Sequence, residues 1–167
     1  MRLIRRAATS AAGIALATGA VIGAAGTAQA AGMSMGTPAM QPTVDCPCTW
    51  SDTIDGTYFE YDAGGRGGRA FLYKNGALTG KVEFHPYGEK IWLYDIKSDG
   101  DTFYVKATWY VNVGDDVYKP RSTPLYGPEN GGGPTIDASW DEGTAVTVSV
   151  YDNSDGTGLI GSFTGVA

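Results

Sequence analysis

Residues 102–113 read TFYVKATWYVNV, and this stretch decides the fold class. Apolar residues recur at every second position, so Phe103, Val105 and Ala107 lie on one face of an extended chain. Polar residues and tyrosines alternate with them, which is the pattern of a β-strand with one buried face. A helix would instead repeat its apolar residues every three or four positions. We therefore predict a strand over 102–113.

The same alternation extends outward along the chain. Valine occupies every second position from Val146 to Val150 within 144–151, and aliphatic and aromatic residues alternate over 89–95. Shorter runs between Gly, Asp, Asn and Ser residues predict further strands at 57–62, 69–74, 80–85, 135–140 and 159–164. We predict an all-β fold, an antiparallel β-sandwich of about seven or eight strands, with little or no helix.

One turn is specified by its own residues. Asn75-Gly76 separates the runs 69–74 and 80–85. Asn and Gly both tolerate positive φ, which a two-residue hairpin turn of the I′ type requires at both central positions. This pair therefore predicts a tight hairpin.

The N-terminus has the features of a secretory signal peptide. Three arginines within the first six residues precede an uncharged stretch, from Ala7 to Ala30, that is rich in Ala, Ile, Leu and Val. It ends in Ala28-Gln29-Ala30, the small-x-small pattern that signal peptidase cleaves. Its many Ala, Gly and Thr residues make it a weak membrane anchor. We predict a signal peptide over 1–30 and a secreted, extracellular protein.

The remaining chain divides into a linker and a domain. Residues 31–45 read AGMSMGTPAMQPTVD and show no period of 2 or 3.6. Small residues and prolines of this kind are typical of flexible segments. We predict a flexible linker over 31–49, which includes Cys46 and Cys48, and a single β-sandwich domain over 50–167.

The charge of the secreted chain limits its partners. The sequence has 12 Lys and Arg against 18 Asp and Glu, and the leader removes three arginines and no acidic residue, which leaves a net charge of −9. A negative surface repels phosphate groups. Nucleic acid and anionic membranes are therefore excluded as expected partners, and an extracellular glycan or protein remains.

Sulfur-containing residues cluster before the predicted domain. Cys46 and Cys48 can form a disulfide in an exported protein, although a loop this short removes little unfolded-state entropy. The alternative is a thiol pair used between chains. Met33, Met35 and Met40 precede them, and thioethers with thiolates suit Cu(I). The competing interpretation is incidental methionine in a linker, and we predict no metal and no cofactor.

Catalytic side chains are scarce. The chain has one histidine, His85, so a hydrolytic triad is not expected. Paired carboxylates, which suffice for glycoside hydrolysis, are the remaining catalytic option. Most acidic residues fall in turns, where Asp is favoured for its own backbone hydrogen bonding.

Aromatic residues point away from the predicted core. If 89–95 and 102–113 form one hairpin with the aliphatic residues inward, its outer face is aromatic. Such a face can stack against sugar rings or a protein partner, and cross-strand aromatic pairs that only stabilise the sheet are the alternative. The predicted ligand-binding residues are Trp92, Tyr94, Tyr104 and Tyr110.

A short region resembles known proteins. Tyr87-Gly88-Glu89, followed by Tyr94-Asp95 and Asp99-Gly100, is similar to small secreted β-domain proteins of actinobacteria. The resemblance covers roughly residues 80–113 and brings no catalytic or binding residues with it.

Three functions follow as hypotheses. The first is a secreted, non-catalytic binding module for a glycan that uses the aromatic face. The second is a protein-interaction or enzyme-inhibitor domain that uses the loop 114–134 and its glycines, Gly131 to Gly133. The third is a small extracellular hydrolase that uses paired carboxylates.

Overall fold

The computed structural model describes residues 32–97, 101–128 and 134–167. The predicted signal peptide and Gly131 to Gly133 lie outside the described residues. Within the described ranges the chain forms twelve β-strands and no helix. They are β1 (Met33–Met35), β2 (Ala39–Pro42), β3 (Cys48–Trp50), β4 (Thr57–Phe59), β5 (Arg66–Lys74), β6 (Ala77–His85), β7 (Lys90–Asp95), β8 (Tyr104–Asn112), β9 (Tyr118–Ser122), β10 (Pro134–Asp137), β11 (Ala145–Tyr151) and β12 (Leu159–Val166).

Ten of these strands belong to one curled antiparallel sheet, a half-barrel. Its order is β10-β7-β6-β5-β12-β11-β8-β9, and β1 and β2 also pair with β5. Strands β3 and β4 form a separate two-stranded sheet. The all-β, antiparallel prediction is confirmed, whereas a sandwich of two facing sheets is not.

The core lies on one face of the curled sheet, as the alternation predicts. Val146, Val148 and Val150 of β11 are completely buried. Every second residue of the neighbouring strands packs with them in the same cluster, because successive side chains of a strand point to opposite faces. The core side chains of β5 to β8 are Ala70, Leu72, Val82, Phe84, Ile91, Leu93, Val105 and Ala107.

The predicted hairpin turn is confirmed. Asn75 and Gly76 have φ values of 51° and 78° and connect β5 directly to β6. The left-handed conformation at both positions matches the twist of the two strands. These two strands are long, and β6 carries residues of the site described below.

The predicted linker is wrong for the described part of 31–49. β1 and β2 both pair with β5, whereas β12 meets β5 at only one residue pair, Val166 with Arg66. Met33 is 3% exposed and belongs to the core. A Cβ atom on Gly68 would lie 2.8 Å from the sulfur of Met40, so the missing side chain makes room for β2 to pack. The unpaired edge of β5, and not local propensity, makes this segment extended.

The predicted hairpin between 89–95 and 102–113 is also wrong. β7 pairs with β6 and β10, and β8 pairs with β11 and β9. Both segments are strands, but four other strands lie between them in the sheet. The predicted loop 114–134 contains β9, whose five residues are all exposed.

Candidate functional site

The β3–β4 hairpin covers part of the sheet face that lies opposite the core. Phe59 of β4 is 1% exposed, and its ring centroid lies 4.9 Å from that of His85 on β6. A Cβ atom on Gly67 of β5 would lie 2.6 Å from Phe59 Cε1, so the absence of a side chain there leaves the space that the ring occupies. The hairpin and the loop that joins its strands thus lie directly above β5 and β6.

Asp52 organises the loop between β3 and β4. Its Oδ1 accepts hydrogen bonds from the backbone N–H groups of Ile54 (2.9 Å), Asp55 (3.1 Å) and Gly56 (3.0 Å). Burial alone raises the pKa of Asp52, but these donors, together with Lys81, outweigh it and lower the pKa to about 2. The loop is therefore wrapped around a carboxylate that stays ionised.

Lys81 is the centre of a buried ionic cluster. Its Nζ lies 2.5 Å from Asp55 Oδ1 and 2.8 Å from Glu83 Oε1. It also lies 3.2 Å from Asp52 Oδ2 and donates to the carbonyl oxygen of Gly56 at 3.0 Å. Although burial lowers the pKa of Lys81, the carboxylates, led by Asp55, raise it overall. The fully buried lysine is therefore held as an ammonium ion.

Both carboxylate oxygens of Glu83 have partners besides Lys81. The Thr57 hydroxyl donates to Oε1, while His85 Nε2 lies 3.0 Å from Oε2 and the Tyr94 hydroxyl donates to Oε2 at 3.5 Å. Burial raises the pKa of Glu83, but the contacts with His85, Lys81 and Thr57 lower it overall. Burial and the nearby carboxylates, first that of Glu83, raise the pKa of Tyr94. Tyr94 is therefore a neutral phenol.

Arg69 joins the ionic cluster to the aromatic residues. Its Nη1 lies 3.0 Å from Asp52 Oδ2, and its guanidinium carbon lies 4.8 Å from the ring centroid of Trp50 and 5.1 Å from that of Phe71. Cations over aromatic faces gain electrostatic attraction from the ring quadrupole. The position of Trp50 on β3 is thereby tied to β5.

These acidic residues do not form an open metal site. Oxygen atoms of Asp52, Asp55 and Glu83 lie within 4.8 Å of one another, as ligands of a cation would. However, the ammonium of Lys81 lies within 3.2 Å of all three side chains. The lysine takes the place that a metal ion would need.

The predicted soft-metal residues are not brought together as free ligands. Cys46 and Cys48 form a disulfide, so neither offers a thiolate. Met33 is buried in the core, and Met35 and Met40 pack against that core. The thioethers fill space beneath β1 and β2, where Met side chains commonly serve as adaptable packing groups.

A pocket of ≈ 440 Å³ opens beside the ionic cluster. Indole and phenol rings form its walls, and carboxylate, hydroxyl and imidazole groups complete them. Trp92 and Tyr94 on β7 stack with ring centroids 6.4 Å apart and planes inclined by 15°. The lining residues are Thr49, Trp50, Ser51, Asp55, Gly56, Thr57, Tyr58, Glu83, His85, Trp92 and Tyr94. We call this the aromatic pocket.

The structure brings two of the four predicted aromatic residues into the aromatic pocket. Trp92 and Tyr94 line it. Tyr104 and Tyr110 lie on β8 and do not line it, and Tyr110 is 62% exposed. The predicted aromatic face is therefore divided between two separate strands.

Sequence reasoning missed Trp50, Asp55 and Glu83. Glu83 occupies a position of the alternating run 80–85 that points away from the core, and the strand register places it opposite Trp92. Charged residues at every second position beside an aromatic strand were the available signal. No comparable signal places Trp50 and Asp55, because the hairpin reaches the sheet through tertiary packing.

The chain matches no family model, no curated protein and no solved structure in comparisons of all three kinds. Within the described residues, no helix has the length and apolar character that a membrane crossing needs.

Proposed function

We propose that the protein is a secreted, non-catalytic binding module whose aromatic pocket holds a sugar ring of an extracellular glycan. The observation that carries this proposal is the stacked pair Trp92 and Tyr94 beside the carboxylates of Asp55 and Glu83. Aromatic faces pack against the C–H groups of a sugar ring, and carboxylates accept hydrogen bonds from its hydroxyls.

The pocket is pre-organised for binding. Glu83 is held by Lys81 and His85, and Trp50 is held by Arg69. Side chains that are already ordered lose little conformational entropy when a ligand arrives. This favours recognition of a ligand by a rigid surface.

A hydrolase that uses these carboxylates is supported less well. A general acid needs a raised pKa so that it carries a proton near neutral pH. Glu83 has a lowered pKa, and its two oxygens already accept hydrogen bonds from Thr57 and Tyr94. This geometry favours a fixed hydrogen-bond acceptor over a proton donor.

Retention on insoluble polysaccharides tests the proposal. The secreted chain should be retained by at least one of chitin, cellulose and peptidoglycan, and Trp92→Ala should reduce the affinity about tenfold or more, because it removes a stacking surface. Tyr110→Ala, which removes an exposed aromatic residue outside the pocket, is the matched control and should be retained like the wild type. Unchanged retention of Trp92→Ala, or no retention of the wild type, would contradict the proposal.

Export is the second part of the proposal, and it follows from the leader. N-terminal sequencing of the protein recovered outside the cells should begin at Ala31. Recovery of the uncleaved chain with the cells would contradict this part.

A further inference from the structure

Among the residues that the structure describes, no Lys or Arg side chain lines the aromatic pocket, although two of them lie close by. The lining residues with a formal charge are Asp55 and Glu83, which are both acidic. Lys81 is completely buried beneath them, and Arg69 is 13% exposed and does not line this pocket. The charge that a ligand meets is therefore negative.

The charges of the cluster do not cancel. Asp52, Asp55 and Glu83 stand against Lys81 and Arg69, which leaves one negative charge in excess. Asp52 and Glu83 are almost completely buried, but the side chain of Asp55 is 46% exposed. The excess charge is accessible at Asp55, where a cationic group of a ligand can reach it.

The aromatic walls are an independent second feature that favours a cation. Trp50 and Tyr94 each already hold a cation over the ring, Arg69 at 4.8 Å and Lys81 Nζ at 4.4 Å. Aromatic rings grouped around a carboxylate recognise ammonium ions through the ring quadrupole and direct charge pairing. Trp92, stacked on Tyr94, extends this electron-rich wall into the pocket.

We infer that the aromatic pocket selects a glycan that carries a protonated amine, an unacetylated amino sugar, over a neutral sugar of the same ring size. The ammonium group pairs with Asp55, and the ring stacks on Trp92. This inference rests on the proposed function and specifies its ligand class.

Two matched oligosaccharides test it with the secreted chain. The tetramers of glucosamine and of N-acetylglucosamine share a backbone and differ at one substituent of each ring, which is a protonated amine in the first and a neutral acetamide in the second. Titration calorimetry at low salt should give an affinity for the glucosamine tetramer about tenfold higher, as a charge-assisted aromatic contact warrants. Added salt should reduce this preference, because screening weakens a partly exposed charge pair.

A charge-matched pair of variants locates the effect. Asp55→Asn should bring the ratio of the two affinities close to one, whereas Asp141→Asn, which removes an exposed carboxylate outside the pocket, should leave the ratio as in the wild type. Far-UV circular dichroism checks that both variants are folded, and the salt series needs no variant at all.

The outcomes separate this inference from the proposed function. Equal or tighter binding of the N-acetylglucosamine tetramer overturns the inference and leaves glycan binding intact. Equally tight binding of an oligolysine of the same charge also overturns it, because the pocket would then recognise charge without the sugar. Failure to bind either tetramer or any of the three polysaccharides contradicts the proposed function itself, and the inference with it.

Discussion

Lys81 and Glu83 are two residues apart on β6, and both are almost completely buried on the face of the sheet that lies opposite the core, with Nζ 2.8 Å from Oε1. Buried ions need partners that replace water. The loop of the β3–β4 hairpin provides them through Asp52 and Asp55. The ionic cluster therefore ties the hairpin to the sheet and fixes one wall of the aromatic pocket.

Replacing the lysine should destabilise the protein strongly. Lys81→Met leaves Asp52, Asp55 and Glu83 without their shared cation, and the cost of an uncompensated buried charge is about 3–5 kcal/mol. Urea denaturation monitored by tryptophan fluorescence measures the change in unfolding free energy. Lys119→Met, on the exposed strand β9, is the control and should change it by less than about 0.5 kcal/mol.

The double variant Lys81→Met/Glu83→Leu separates two explanations. If unpaired charge causes the loss, removing both ions should recover part of the stability that Lys81→Met loses. A double variant that is less stable than Lys81→Met would show instead that these side chains matter for their packing.

Acid should weaken the hairpin loop through Asp52. Its pKa of about 2 in the folded protein lies below its ordinary value of 3.8. A lowered folded-state pKa contributes stability above the unfolded-state value, and that contribution is lost as the pH falls from about 4 to about 2. A shift of this size corresponds to roughly 2 kcal/mol.

Denaturation curves measured between pH 7 and pH 2 test the assignment to Asp52. The wild type should lose this stability over the lowest two pH units, and Asp52→Asn should show a shallower decline there. Identical pH profiles for the two proteins would mean that other carboxylates cause the acid sensitivity.

A methyl group at Gly67 should displace the hairpin. The added Cβ atom would lie 2.6 Å from Phe59 Cε1, so the ring that anchors β4 must move. Gly67→Ala should lower the unfolding free energy by about 1–3 kcal/mol, as overpacking commonly does, and should weaken glycan binding because Trp50 belongs to the same hairpin. Gly127→Ala, where the nearest side-chain atom is 3.4 Å away, is the control. Unaltered binding and stability of Gly67→Ala would contradict this account of the hairpin.

The extended segments were predictable where side-chain alternation is strong. The valines from Val146 to Val150 and the turn at Asn75-Gly76 specify their structures locally. β1 and β2 could not be predicted, because these short segments, which contain Met and Pro, show no strand pattern and become extended through pairing with β5. The strands that pair with β7 and β8 could not be predicted either, since alternation shows which face of a strand is buried and not which strand lies next to it.

The candidate site was predictable only in part, for the same reason. Trp92 and Tyr94 are recognisable as outward-facing aromatic residues of a strand. Trp50 and Asp55 reach them because Phe59 packs on Gly67 of β5. This is a contact between two separate sheets, and no strand pairing joins them in the part of the chain that the structure describes. Two residues of the predicted face, Tyr104 and Tyr110, were included through the assumption that consecutive strands pair.

The four tryptophans allow the most direct measurement of glycan binding in the aromatic pocket. Trp50 and Trp92 line the pocket, whereas Trp109 and Trp140 pack against each other at 5.8 Å within the core region. In ¹H–¹⁵N spectra recorded during titration with the glucosamine tetramer, the indole N–H signals of Trp50 and Trp92 should shift progressively and those of Trp109 and Trp140 should stay in place. Shifts confined to Trp109 and Trp140, or no shift of any indole signal at saturating tetramer, would contradict the account.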